Sequence, residues 1–123
     1  MLSRLDYESA NSFLKMAKRE IEKNNTYIIP SKKVNNKKYR TVDLLLMIGI
    51  NSTKEVWDHI LDLTPDDCID ISIDHDLSRD YNTEQYEFIK IINDIEVYIK
   101  LTIRDKLVCM SFHENNYRSI IGG

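Results

Sequence analysis

The most regular pattern of the chain is an alternation of apolar and polar residues in its C-terminal third. From residue 95 to 103, Ile, Val and Leu occupy every second position, and Glu, Tyr, Lys and Thr fill most positions between them. Such alternation predicts a strand with one buried and one polar face. A second alternating run covers residues 108–113. With an earlier strand that turns at Asn93 and Asp94, these runs predict a three-strand antiparallel meander over residues 86–114.

The register of the last hairpin follows from the requirement that both apolar sets share one face. A two-residue turn at Asp105 and Lys106 meets this requirement. It places Val108, Met110 and Phe112 opposite the apolar side chains of the preceding strand. A three-residue turn would mix the two faces, so we predict the shorter turn.

The same register predicts a polar patch on the other face. Tyr98 lies opposite His113, and Lys100 opposite Ser111, at a cross-strand separation of about 5 Å. The turn before the middle strand adds Glu87 opposite Lys100. A phenol, an ammonium, a hydroxyl, an imidazole and a carboxylate are therefore expected together.

The N-terminal part of the chain predicts mainly helices. Residues from about 7 to 25 carry apolar side chains at helical spacing. A short helix starts at Thr41 as its cap, and Ser52 with Glu55 forms a capping box that starts another. Residues 26–30 are predicted as a short edge strand, residues 31–40 as a basic loop, 68–73 as a strand and 74–80 as a polar loop.

These elements predict an α+β fold in a single domain covering residues 1–123. The N-terminal helices pack on one face of a twisted antiparallel sheet that ends in the meander. With 42% hydrophobic and 30% charged residues, the chain is long enough for one real core and is neither disordered nor a membrane protein. We expect no signal peptide, two reduced cysteines and a cytoplasmic location.

The net charge of −3 conceals a division of the chain. Residues 1–40 hold ten Lys or Arg against four Asp or Glu, whereas residues 41–123 hold seven against sixteen. The basic part can bind phosphates, or it can be a solvated helix surface followed by a flexible connector, which charge alone favours. The candidate substrate-binding residues are Lys32, Lys33, Lys37, Lys38, Arg40, His75, Arg79 and Lys90.

Two segments of the meander carry a resemblance to a known family. EVYIKLTI followed by LVCMSFHE, together with the earlier LTPDD turn, resembles the MqsR family of ribonuclease toxins from type II toxin–antitoxin systems. The likeness extends from about Phe13 to Glu114. It implies a fold similar to RelE-type toxins, cleavage of mRNA without a metal or other cofactor, and inhibition by a cognate antitoxin protein.

The resemblance also implies roles for residues of the polar patch. The family's functional tyrosine falls on Tyr98, and a functional lysine of the family falls on His113. A glutamine of the family falls near Glu87. A further basic residue after the LTPDD turn is missing, because Cys68, Ile69 and Asp70 stand there.

The chemistry of the patch agrees with this expectation. RNA cleavage without a metal needs a base for the 2′-hydroxyl, an acid for the leaving oxygen and a cation for the phosphorane. His113 can be the acid or the base, Lys100 supplies positive charge, and Glu87 can orient either one. Tyr98 can stack on a base or donate to phosphate.

A competing hypothesis is a non-catalytic module on the same fold, which binds RNA or a nucleic-acid-binding protein. The net acidity of the chain supports this alternative, and a requirement for His113 would distinguish the two.

Overall fold

The computed structural model describes residues 3–76 and 81–115, without the side chains of residues 74–76, 81 and 82. The described chain alternates short helices with strands before a long meander. Its elements are α1 (Arg4–Glu22), β1 (Thr26–Ile28), β2 (Ser31–Val34), β3 (Lys37–Arg40), α2 (Thr41–Met47), α3 (Thr53–Leu61), a 3₁₀ turn (Pro65–Asp67), β4 (Cys68–Asp76), β5 (Tyr81–Ile92), β6 (Ile95–Arg104) and β7 (Lys106–Glu114).

Five of these strands form one sheet in the order β1-β7-β6-β5-β4. Strands β4 to β7 are antiparallel, and the predicted edge strand β1 pairs with β7 in parallel, so the sheet is mixed. The three α-helices contribute to one core with the apolar face of this sheet. The predicted α+β class is confirmed.

The hairpin between β5 and β6 has the predicted register. Asn93 and Asp94 adopt φ values of 52° and 63°, the left-handed conformation that a two-residue hairpin turn needs at both positions. Glu87 therefore pairs with Lys100, as expected. One face of β6 is fully buried over Val97, Ile99 and Leu101.

The predicted turn between β6 and β7 is wrong, because Ile103 pairs with Leu107 and Arg104 pairs with Lys106 at the end of the hairpin. The register then shifts between Lys100 and Leu101, where Met110 of β7 is an extra residue. Such a bulge changes the phase of the strand. As a result, pairing beyond it has the predicted register, with Tyr98 opposite His113.

This bulge also changes which side chains of β7 reach the core. Leu107, Cys109 and Phe112 belong to the core cluster, whereas Val108 and Met110 are half-buried and lie outside it. The exchange follows from the register, which places Leu107 opposite Ile103 and Cys109 opposite Leu101. The predicted alternation is therefore correct for Phe112 and wrong for Val108 and Met110.

The basic segment 31–40 is a hairpin, and its assignment as a loop was wrong. Strands β2 and β3 pair in antiparallel fashion, with Lys32 opposite Tyr39. Asn35 and Asn36 form the turn with φ values of 54° and 66°. Asparagine tolerates this left-handed conformation better than most residues, so the Asn-Asn pair was the signal for a hairpin.

Three boundaries also differ from prediction. Helix α1 begins earlier, because Ser3 caps it by accepting a hydrogen bond from the Asp6 amide. Thr41 makes no capping bond and instead donates its hydroxyl to the Ile29 carbonyl. Strand β4 continues to Asp76, so residues 74–76 are not a loop.

A contact between α2 and the β5–β6 turn is expected to be sensitive to substitution. Gly49 has a φ of 79°, and a Cβ there would lie 2.9 Å from Asn93 Nδ2, which donates to the Ile48 carbonyl. Gly49→Ala is expected to lower the free energy of unfolding by about 1–2 kcal/mol, from the left-handed conformation alone. Urea unfolding measures this change.

The matched control for this substitution is Met47→Ala, since Met47 is 63% exposed in the same segment. That change should stay within about 0.5 kcal/mol of the wild-type stability. Equal unfolding midpoints for Gly49→Ala and Met47→Ala would contradict the role given to Gly49.

Candidate functional site

The face of the sheet opposite α1 and α3 gathers the predicted polar patch across four strands, and α2 lies beside its β7 end. The register aligns Asp70 of β4 with Glu87 of β5, Glu87 with Lys100 of β6, and Lys100 with Ser111 of β7. Tyr98 and His113 form the neighbouring pair. All four predicted catalytic residues therefore share one face.

Tyr98 and His113 are in ring contact. Their ring centroids lie 5.6 Å apart, and the ring planes are tilted by 38°. His113 is only 9% exposed. Its Nδ1 lies 2.8 Å from the Glu114 carbonyl oxygen, which can only accept a hydrogen bond. Nδ1 therefore carries the proton, and a neutral His113 has its lone pair on Nε2.

The surroundings of His113 favour this neutral form. Burial lowers the pKa of His113 below its usual value, and the positive charge of Lys32 lowers it further. The hydrogen bond to the Glu114 carbonyl opposes both effects. At neutral pH the ring is thus an acceptor at Nε2, as a general base must be.

The Tyr98 hydroxyl donates to a Glu87 carboxylate oxygen. Burial, this hydrogen bond and the negative charges of Glu87 and Asp70 raise the pKa of Tyr98 well above its usual range. Tyr98 therefore keeps its proton at physiological pH. Its hydroxyl orients Glu87, and its ring fixes the position of His113.

The basic hairpin brings Lys32 to the same site. A small cavity is lined by Lys32 together with Ser111 and His113 of β7. Burial and the nearby charge of Lys100 lower the pKa of Lys32. No carboxylate of the described residues forms an ion pair with Lys32 or Lys100.

The site is consequently divided by charge. The carboxylates of Asp70 and Glu87 come from β4 and β5, whereas Lys32 lines a cavity with Ser111 and His113 of β7. Lys100 of β6 stands between Glu87 and Ser111. Asp70 occupies the place where the resemblance indicated a missing cation. Its position opposite Glu87 depends on the register of β4, which the sequence did not provide.

The other basic residues of the hairpin lie away from this cluster. Lys33 pairs with Lys38, both of them exposed, and the Lys37 ammonium lies 5.3 Å from the centre of the Tyr39 ring. The Arg40 guanidinium makes two hydrogen bonds to Asp43, of 2.9 and 3.0 Å. Arg40 is thus engaged at the start of α2.

Three substrate-binding candidates remain: Lys90, His75 and Arg79. Lys90 pairs with Val97, so it lies on the core side of β5 and its assignment to the site was wrong. The side chain of His75 and the whole of Arg79 lie outside the described residues.

The two cysteines are free and buried, which agrees with reduced thiols. Burial raises the pKa of Cys68 to about 11 and that of Cys109 to about 12, so neither is a reactive thiolate at neutral pH. In the part of the chain that the structure describes, no group of three or more His, Cys, Asp or Glu could hold a metal ion. None of the helices described there is long and apolar enough to cross a membrane.

Comparison with known proteins leaves the function open. No protein-family model matches the sequence, and no curated protein or solved structure matches it significantly. The resemblance to the MqsR family therefore stays a prediction, which the geometry of the site can support but which no relative tests.

Proposed function

We propose that this protein is an endoribonuclease toxin that cleaves mRNA with side chains as its catalysts. The observation that carries this proposal is the environment of His113. It is a buried imidazole that keeps Nε2 as its acceptor nitrogen, in contact with Tyr98 and on the same patch as Lys32 and Lys100. Neither lysine forms an ion pair with a carboxylate of the described residues. Such an arrangement suits proton abstraction next to a phosphate.

The cleavage step is one of phosphoryl transfer within the RNA. His113 Nε2 removes the proton of the ribose 2′-hydroxyl, and the 2′-oxygen attacks the adjacent phosphorus. The bond from phosphorus to the 5′-oxygen breaks, and the Lys100 ammonium gives that oxygen a proton. The products are a 2′,3′-cyclic phosphate and a 5′-hydroxyl.

The charge division of the site orients the substrate. RNA phosphates are attracted to the side of Lys32 and Lys100 and repelled from Glu87 and Asp70. The exposed lysines of the β2–β3 hairpin, Lys33, Lys37 and Lys38, extend this basic side and hold the backbone of the strand. A cognate antitoxin and a cytoplasmic location belong to the same proposal, on the strength of the resemblance.

The second candidate function is an RNA-binding module without catalysis, which the exposed hairpin lysines also support. Expression in a bacterial host separates the two functions. If the His113→Ala protein remains folded but no longer arrests growth, the arrest depends on catalysis. Growth arrest that persists in this variant points to binding alone.

Removal of the imidazole is the direct test of catalysis. His113→Ala should lower the cleavage rate by a factor of about 10²–10⁴, the usual loss for a general base. The measurement is the single-turnover rate on a defined RNA in EDTA. His59→Ala, in α3 and outside the cluster, is the control and should cleave at the wild-type rate. Equal rates for the two variants would exclude His113 as the base.

The pH dependence of cleavage should report the lowered pKa of His113. The base acts in its neutral form, so kcat/KM rises with pH and levels off once the ring has lost its proton. Since burial and Lys32 lower this pKa, the midpoint should fall below about 6.5, the unperturbed value. A midpoint at or above that value would contradict the buried, neutral ring.

The hairpin lysines should contribute to RNA affinity through counterion release. Replacing Lys33, Lys37 and Lys38 by Gln should weaken binding and reduce the slope of log K against log salt by about 0.7 for each phosphate that is no longer neutralised. Fluorescence anisotropy with the His113→Ala protein measures binding without cleavage. An unchanged slope would leave these lysines as a solvated surface.

A further inference from the structure

The cavity beside His113 contains donors that the fold does not use. Its volume is about 10 Å³, and its polar side chains come from Lys32, Thr41, Cys109, Ser111 and His113. The Thr41 hydroxyl donates to the Ile29 carbonyl, and the Cys109 thiol donates to the Ser111 carbonyl. The Ser111 hydroxyl and the Lys32 ammonium remain available.

Ser111 is an exception to the usual pairing of buried polar groups. Its residue is 4% exposed, and its Oγ has no hydrogen-bond partner among the described residues. Leaving such a hydroxyl unsatisfied costs about 1–3 kcal/mol. Buried polar atoms are rarely left so, and an unpaired one calls for a ligand or a water.

The two lysines next to Ser111 also favour a bound ligand, in their case because of their positive charges. Lys32 lines the cavity, and Lys100 is the cross-strand neighbour of Ser111. Both are half-buried, and the positive charge of Lys100 acts on Lys32. Interacting like charges, neither of which forms an ion pair with a carboxylate of the described residues, favour an anion at that place.

The size of the cavity limits what can enter. A volume of about 10 Å³ accommodates about one water molecule, and therefore one oxygen atom. A whole phosphate does not fit, but one of its non-bridging oxygens does, while the remainder of the group stays on the side of Lys100 and His113.

We propose that Lys32 and Ser111 form an oxyanion hole that holds one non-bridging oxygen of a phosphate group beside His113. This inference rests on the proposed ribonuclease function for its substrate, although the anion site itself does not require cleavage. The ligand class is a phosphate monoester or diester, and both residues are catalytic because they touch the reacting group.

The oxyanion hole has its largest effect when charge develops on phosphorus. As the 2′-oxygen adds, negative charge accumulates on the non-bridging oxygens of the phosphorane. The Ser111 hydroxyl and the Lys32 ammonium then donate to one of these oxygens from fixed positions. Donors arranged in this way stabilise the transition state more than the ground state.

Titration with inorganic phosphate tests the site without RNA. The probe is the His113 ring, followed by NMR as pH is varied with and without phosphate. The groups that face this ring are Lys32 from β2, Tyr98 and Lys100 from β6, and the Glu114 carbonyl. A bound anion should raise the pKa of His113, because negative charge favours the imidazolium.

The variants for this titration are Ser111→Ala and Lys32→Gln, with Lys106→Gln as the control. Lys106 lies in β7 like Ser111 but is exposed and belongs to no candidate set. Ser111→Ala removes a hydroxyl with no partner among the described residues, so the fold should keep its stability. Phosphate affinity should fall at least tenfold in both variants and stay unchanged in the control. No response of His113 to phosphate, or equal responses in all four proteins, would overturn the proposal.

Cleavage assays separate this proposal from the proposed function. Ser111→Ala should lower kcat by a factor of about 10²–10³ with little change in KM, as the loss of one oxyanion donor does. Cleavage by Ser111→Ala at the wild-type rate would reject the oxyanion hole and leave the ribonuclease intact. Phosphate binding by a wild-type protein that cuts no RNA would reject the ribonuclease and leave the anion site.

Discussion

The geometry of the site depends on one extra residue in the last strand. Pairing at the tip of the β6–β7 hairpin, continued without interruption, would place His113 opposite Val97 on the core face of the sheet. The bulge at Met110 advances β7 by one residue and brings His113 opposite Tyr98 instead. A single residue thus determines whether the imidazole lies in the apolar core or in the polar patch.

This placement brings several groups with unfavourable electrostatic surroundings into one site. His113 is neutral because it is buried near Lys32, and Lys32 itself lies near Lys100. The Ser111 hydroxyl beside them has no partner among the described residues. None of these features stabilises the fold, and under the proposed function each would become favourable on phosphate binding. Perturbed groups of this kind cluster at functional sites, which is why the arrangement supports a function.

The sequence predicted the fold where local signals were sufficient. The alternation of β6 and the Asn93-Asp94 turn determine one hairpin completely, since side-chain phase and turn type agree. The bulge was not predictable, because alternation in β7 favours Val108 and Met110 as core residues. Leu107 and Cys109 take these places because the hairpin starts one residue out of the predicted register and recovers it only at Met110.

The sequence predicted the positions of some candidate site residues and missed those of others. Tyr98, His113 and Lys100 share a face because strand phase determines it. The phase of β5 would also have shown that Lys90 lies on the core side. Lys32 was selected only because it belongs to a run of basic residues, and the other members of that run do not line the cavity beside His113. Its position could not be predicted, because it depends on how the β2–β3 hairpin packs. Ser111 was placed on the patch, but its burial without a partner among the described residues is visible only in three dimensions.

The chemistry of the cleaved ends tests the central claim most directly. Purified protein is incubated with a defined RNA in EDTA, and the termini of the fragments are identified by mass spectrometry. Attack by the 2′-oxygen, with His113 as the base, predicts fragments that end in a 2′,3′-cyclic phosphate and begin with a 5′-hydroxyl. Fragments that begin with a 5′-phosphate, or RNA that remains intact, would contradict the account.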